Sequence, residues 1–127
     1  MSIHESGQMY LETIYILSQT KSYVRAIDVG EHLGYSKPSV SRAMSILKKN
    51  GYVLVDSDGA ITLTESGMEI AQTMYTRHTV LFEMLIRLGV DEKTATEDAC
   101  RIEHVISAAS FSAIQQHVKQ SLGKIDD

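Results

Sequence analysis

One cysteine, one proline and no apolar run long enough to cross a bilayer mark this chain by what it lacks. A lone cysteine excludes an intramolecular disulfide and suits a reducing cytoplasm. A membrane helix needs about 20 consecutive apolar residues, and nothing here approaches that, so no membrane partner is expected. The opening residues Met1-Ser2-Ile3-His4-Glu5 lack the basic-then-apolar layout of a signal peptide. There is no internal repeat and no low-complexity tract. A chain of 127 residues suits one core, or two small subdomains.

Excess positive charge is also missing. The net charge is -4, which taken globally argues against a nucleic-acid partner. Its distribution is uneven, however. Residues 37–50 hold Lys37, Arg42, Lys48 and Lys49 and no acid. Attraction to phosphate is screened beyond about 10 Å, so this local cluster outweighs the total.

What is present reads mainly as helix. Residues 5–19 form a first helix with Tyr10, Leu11, Ile14 and Leu17 as its apolar stripe. A second helix spans 26–33, with Ile27, Val29 and Leu33 as candidate core residues and Gly34 as its stop. After Tyr35, Ser36 is a good N-cap and Pro38 falls in the first turn of a third helix, where its missing N–H does no harm. That helix runs to Lys49 with Val40, Met44 and Leu47 inward. Its outer face carries Lys37, Ser39, Ser41, Arg42 and Ser45. Two helices around a glycine turn, the second basic and rich in hydroxyls, are a helix-turn-helix pattern, although an ordinary helical hairpin shares the outline. Residues 52–55 and 60–63 then read as two short strands around the turn Asp56-Ser57-Asp58-Gly59. A helix-turn-helix followed by a hairpin is a winged helix.

Thr64 caps a long helix to Leu88, where Met74, His78, Leu81, Leu85 and Leu88 alternate in a heptad-like seam. Asp91 opens another helix, on which Ala95, Ala99, Ile102 and Ile106 make the apolar stripe. A last helix covers 110–122, and Gly123 to Asp127 reads as a frayed tail. On the Asp91 helix, Cys100, Glu103 and His104 stand at i, i+3 and i+4 and share one face. That face is expected at the seam between core and solvent. Thiolate, carboxylate and imidazole together make half of a site for a divalent transition metal. The bland alternative is a buried cysteine beside two solvated polar residues. Taken singly, Met9 is core filler, Glu12 a solvated charge and His78 a hydrogen-bonded core histidine; the residues alone leave both readings open.

Several runs, taken in order, resemble the diphtheria-toxin-repressor (DtxR/MntR) family of metal-dependent transcriptional regulators. They are Met9-Tyr10-Leu11-Glu12-Thr13-Ile14-Tyr15, Ser36-Lys37-Pro38-Ser39-Val40-Ser41, Leu63-Thr64-Glu65-Ser66-Gly67, Arg77-His78 and Ala99-Cys100-Arg101-Ile102-Glu103-His104. The resemblance implies a winged helix-turn-helix DNA-binding domain over 1–63 and a helical dimerisation and metal-binding domain over 64–127. It implies a metal held by Met9, Glu12, His78, Cys100, Glu103 and His104, among the first helix, the long helix and the Cys100 helix. It implies a homodimer on operator DNA, with Arg25, Ser36, Lys37, Pro38, Ser39, Ser41, Arg42, Lys48 and Lys49 as DNA-binding residues. The length resembles the manganese branch, because the iron branch usually adds an SH3-like domain. The ligands do not: Met9 and Cys100 stand where the manganese branch has carboxylates. Thr96 stands where the ancillary site of the iron branch would have a histidine. The expected cofactor is a divalent metal, iron(II) before manganese(II), with zinc(II), cobalt(II) or nickel(II) able to substitute.

Two readings compete with a metal-sensing repressor. One is a metal hydrolase with Glu103 as general base, which needs an open coordination position and a substrate cleft. The other is a metal-independent winged-helix protein that senses an organic ligand or a partner.

Overall fold

The computed structural model describes residues 5–126, with side chains as far as residue 120. The first residues, Met1 to His4, and the final Asp127 lie outside this range. The order is α1 (Glu5–Ser18), α2 (Ala26–Leu33), α3 (Lys37–Lys49), β1 (Val53–Val55), β2 (Ile61–Leu63), α4 (Glu65–Arg87), α5 (Glu92–Val105) and α6 (Ala108–Asp126). The chain divides into two compact units within α4, between Thr73 and Met74.

In the first unit, the apolar faces of α1, α2 and α3 converge. Leu11, Ile14, Val29, Val40 and Val53 are each at most 1% exposed, and Tyr10, Met44, Leu47 and Ile61 close around them. Ile27, expected in this core, is 67% exposed. Two positions apart on a helix is about 200°, so Ile27 and Val29 cannot both face inward. The inward face of α2 is instead Val29 and Gly30, with Ala26 and Leu33 packed beside them. Gly34 adopts φ 73° and ends α2, its N–H bonded to the Gly30 carbonyl at 2.8 Å.

The wing is a two-stranded antiparallel sheet pairing Val53 with Leu63, Leu54 with Thr62 and Val55 with Ile61. Each strand begins one residue later than its sequence suggests. The Tyr52 N–H is bonded to the Leu47 carbonyl at the end of α3, and the Ala60 N–H to Asp56 Oδ1 inside the turn. Gly59 supplies the positive φ, 83°, that this turn needs. Thr64 then caps α4, its hydroxyl accepting from the Gly67 N–H at 3.2 Å and donating to the Gly51 carbonyl at 2.7 Å.

The second unit has a smaller core. Leu81, Ala99 and Phe111 are buried, and Val80, Phe82, Met84, Ile102, Ile106 and Ile114 are partly covered around them. Leu88, placed at the end of the expected seam, is 72% exposed. The helix stops at Arg87, so Leu88 lies just past its end, and Gly89 follows at φ 98°. The Ser107 hydroxyl accepts from the Ser110 N–H, so α6 starts two residues before the expected 110. It continues as helix to Asp126, past the end expected at Leu122.

Candidate metal centre and nucleic-acid interface

The metal-ligand candidates of the second unit lie on α4 and α5. Asp91 sets where α5 begins: its carboxylate accepts from the Thr94 N–H at 3.1 Å. That backbone hydrogen bond holds the Asp91 carboxyl below the usual carboxylate range. One ligand atom each from Cys100, Glu103 and His104 lies within 4.8 Å of the others. His78 comes from α4, its Nδ1 2.9 Å from Glu103 Oε2. On the other side of the same carboxylate, His104 Nε2 is 3.3 Å from Glu103 Oε1.

Glu103 is deeper than expected. Its side chain is 0% exposed and that of His104 is 2% exposed, while Cys100 and His104 as whole residues are only partly buried, so the face straddles the expected seam with Glu103 at its inner edge. Helix α4 brings Arg77 and His78 to this part of α5. Arg77 Nη1 donates to the carbonyls of Glu103 at 3.1 Å and Ile106 at 3.0 Å, and the guanidinium lies over the Phe111 ring, 5.6 Å from its centroid. It thereby satisfies two carbonyls at the C-terminal end of α5. No sequence rule pointed to this role, since its bonds span 26 and 29 residues.

A buried carboxylate flanked by two imidazoles is costly without positive charge nearby. The thiol, carboxylate and imidazoles form a mixed set of soft, hard and borderline donors that fits a first-row divalent ion. Met9 and Glu12 belong to α1 in the first unit. Glu12 is buried, and Met9 is half-buried with its sulfur accepting a hydrogen bond from the Tyr35 hydroxyl at 3.4 Å.

The DNA-binding candidates are arranged differently. Ser36 is the N-cap of α3; its hydroxyl accepts from the Ser39 N–H at 3.3 Å and donates to Ser39 Oγ at 2.9 Å. Arg25, Lys37, Pro38, Ser39, Ser41, Arg42, Lys48 and Lys49 are all exposed. Arg25 precedes α2, and its N–H is bonded to Asp28 Oδ2 at 2.9 Å.

Comparison with known proteins matches both halves. The iron-dependent repressor N-terminal DNA-binding domain matches residues 2–61, and the iron-dependent repressor metal-binding and dimerisation domain matches residues 64–121. The chain belongs to the iron-dependent repressor family. The HTH-type transcriptional regulator MntR of Lysinibacillus sphaericus is 33% identical over 114 residues, covering 90% of this chain and 82% of the relative. The MntR of Geobacillus thermodenitrificans is 35% identical over 102 residues, covering 80% and 72%. A solved manganese-dependent transcriptional repressor in complex with manganese is 29% identical with a TM-score of 0.81, covering 89% of this repressor. The manganese regulator SloR shares the fold at a TM-score of 0.81 and 24% identity. The chain spans 52% and 55% of the lengths of those two solved proteins.

This repressor is thus a metal-dependent, DNA-binding transcriptional regulator of the DtxR/MntR type, and not an enzyme. Its family architecture is that of a homodimer on operator DNA. The hydrolase and metal-independent readings give way to this assignment. Among the described residues, no helix is long and apolar enough to cross a membrane.

Proposed function

We propose that this repressor senses iron(II), responds to manganese(II) at higher free concentration, and controls metal-homeostasis genes from the cytoplasm. The observation that carries the reading is the convergence of Cys100, Glu103 and His104 on one face of α5, with the Glu103 carboxylate fully buried. Met9, Glu12, His78, Cys100, Glu103 and His104 form the proposed ligand set; Met9 and Glu12 enter it through the family resemblance. When bound, a divalent metal supplies positive charge and directional coordination to these donors. His78 and His104 flank the Glu103 carboxylate, and Arg77 fixes the end of the helix that carries it. Occupancy that favours the DNA-competent conformer shifts the population toward it. A coupling of about 1–3 kcal/mol would change operator affinity about 5- to 150-fold.

On DNA, α3 enters the major groove. Arg42 pairs with a guanine edge and Pro38 touches a thymine methyl, with Ser36 and Ser39 beside them. Lys48, Lys49 and the wing take phosphates, and Arg25, Lys37 and Ser41 add further contacts. A second copy covers the partly exposed apolar side chains of the second unit, among them Phe82 and Met84.

The metal preference follows from softness. Sulfur from Met9 and Cys100 is softer than carboxylate oxygen, and manganese(II) is the weak end of the first-row series. Zinc(II), cobalt(II) and nickel(II) can occupy the site, but a tetrahedral zinc geometry need not activate it. The test is an anaerobic titration of operator binding against buffered free metal. Wild type should respond to iron(II) at lower free metal than to manganese(II). The double change Met9→Asp with Cys100→Glu should move the preference toward manganese(II). A wild type that answers manganese(II) first, or a double mutant with unchanged preference, would show that these two residues do not set selectivity.

A further inference from the structure

The turn of the helix-turn-helix touches one of the proposed ligands. Tyr35 lies between Gly34, which ends α2, and Ser36, which caps α3. Its backbone is fixed: the Tyr35 N–H donates to the Gly30 carbonyl at 3.1 Å. Its ring meets Tyr10 of α1 edge to face, with centroids 5.9 Å apart and planes at 64°. Tyr10 is itself 5% exposed, so this ring contact is anchored in the core. From that position the Tyr35 hydroxyl donates to Met9 Sδ at 3.4 Å, across 26 residues of sequence.

A methionine side chain has three soft torsions, and its thioether is a weak acceptor and an adaptable donor. An unheld thioether must lose that freedom each time it serves as a ligand. A phenol held by a rigid turn removes part of the cost in advance, because one sulfur lone pair takes the O–H and the second stays available. We propose that Tyr35 is a positioning residue for Met9. It orients the thioether and puts a metal ligand in direct contact with the residue that precedes the recognition-helix cap. The inference rests on the reading of Met9 as a ligand.

The experiment uses the full chain as Tyr35→Phe, Met9→Leu and the double variant. Tyr35→Phe keeps the ring contact with Tyr10 and removes only the O–H. In metal-free protein carrying methyl-13C methionine, Tyr35→Phe should move the Met9 methyl signal and leave those of the other methionines in place. Anaerobic competition against a chelator should show iron(II) binding weakened about 2- to 10-fold by Tyr35→Phe, the range expected for one hydrogen bond. In the Met9→Leu background the same change should have no effect on iron(II) affinity. An unmoved Met9 signal, or an equal loss in both backgrounds, would overturn the positioning role while leaving Met9 as a ligand. If Met9→Leu alone binds iron(II) as tightly as wild type, the ligand reading fails, and the positioning role with it.

Discussion

Helices α3 and α5 are nearly equal in length and begin alike, yet they present function in opposite ways. Each is opened by a side-chain cap, Ser36 in one and Asp91 in the other. Helix α3 buries Val40, Met44 and Leu47 and shows its polar residues to solvent. Helix α5 buries Ala95 and Ala99 and, with them, Glu103. A functional face turned outward needs only a stable support, and its residues act one by one. A functional face turned inward needs partners for each polar atom, so its residues act as a group.

That contrast predicts how substitutions behave. The largest effect is expected from His104→Ala, which removes one donor from a grouped site. It should abolish metal-dependent operator binding while leaving the dimer intact, as read by DNA shift and by light scattering on the same sample. Operator affinity like that of wild type at limiting metal would mean that the buried residues do not act together.

On α3 the effects should be graded. Arg42→Ala should cost about 1–3 kcal/mol on the operator and less on random duplex, because base contacts specify. Lys49→Ala should weaken both duplexes about equally and lower the salt slope by about one. Equal losses on both duplexes for Arg42→Ala would move that residue from the base-reading group to the phosphate-binding group.

The smallest effect concerns support of the outward face. Asp28 accepts from the Arg25 N–H at 2.9 Å and lies 3.4 Å from Lys21 Nζ. The backbone hydrogen bond, more than Lys21, holds its carboxyl below the usual value. A carboxyl depressed in the folded state stabilises it above the unfolded pKa and loses that contribution as pH falls through the folded value. Asp28→Ala should therefore cost about 0.5–1 kcal/mol at neutral pH. The difference should shrink as pH falls below about 4 and vanish only in stronger acid, below the depressed folded value, where wild type also loses its carboxylate. Denaturant melts of both proteins at the two pH values read it; a gap that persists in acid would tie the loss to something other than charge.

The outward-facing half was more legible in the sequence than the inward-facing half. Ser36, Pro38 and the Val40-Met44-Leu47 spacing announce α3 within 13 residues, because caps and periodicity are local signals. Even there, apolar character alone does not place Ile27, which lies about 200° around α2 from the buried Val29 and faces solvent. On α5 the spacing of Cys100, Glu103 and His104 is local and visible, but the full burial of Glu103 is not. The partners of Glu103 include Arg77 and His78, which arrive from another helix more than 20 residues away. Tyr35 reads as a turn residue for the same reason, since its bond to Met9 spans 26 residues of sequence.

Metal dependence is read by a DNA shift on this chain's own promoter region, with chelator and then with iron(II) or manganese(II) restored. Chelated protein should lose operator affinity and added metal should return it about 5- to 150-fold, while His104→Ala should respond to neither treatment. Chelated wild type that binds the operator as tightly as metal-loaded protein would contradict it.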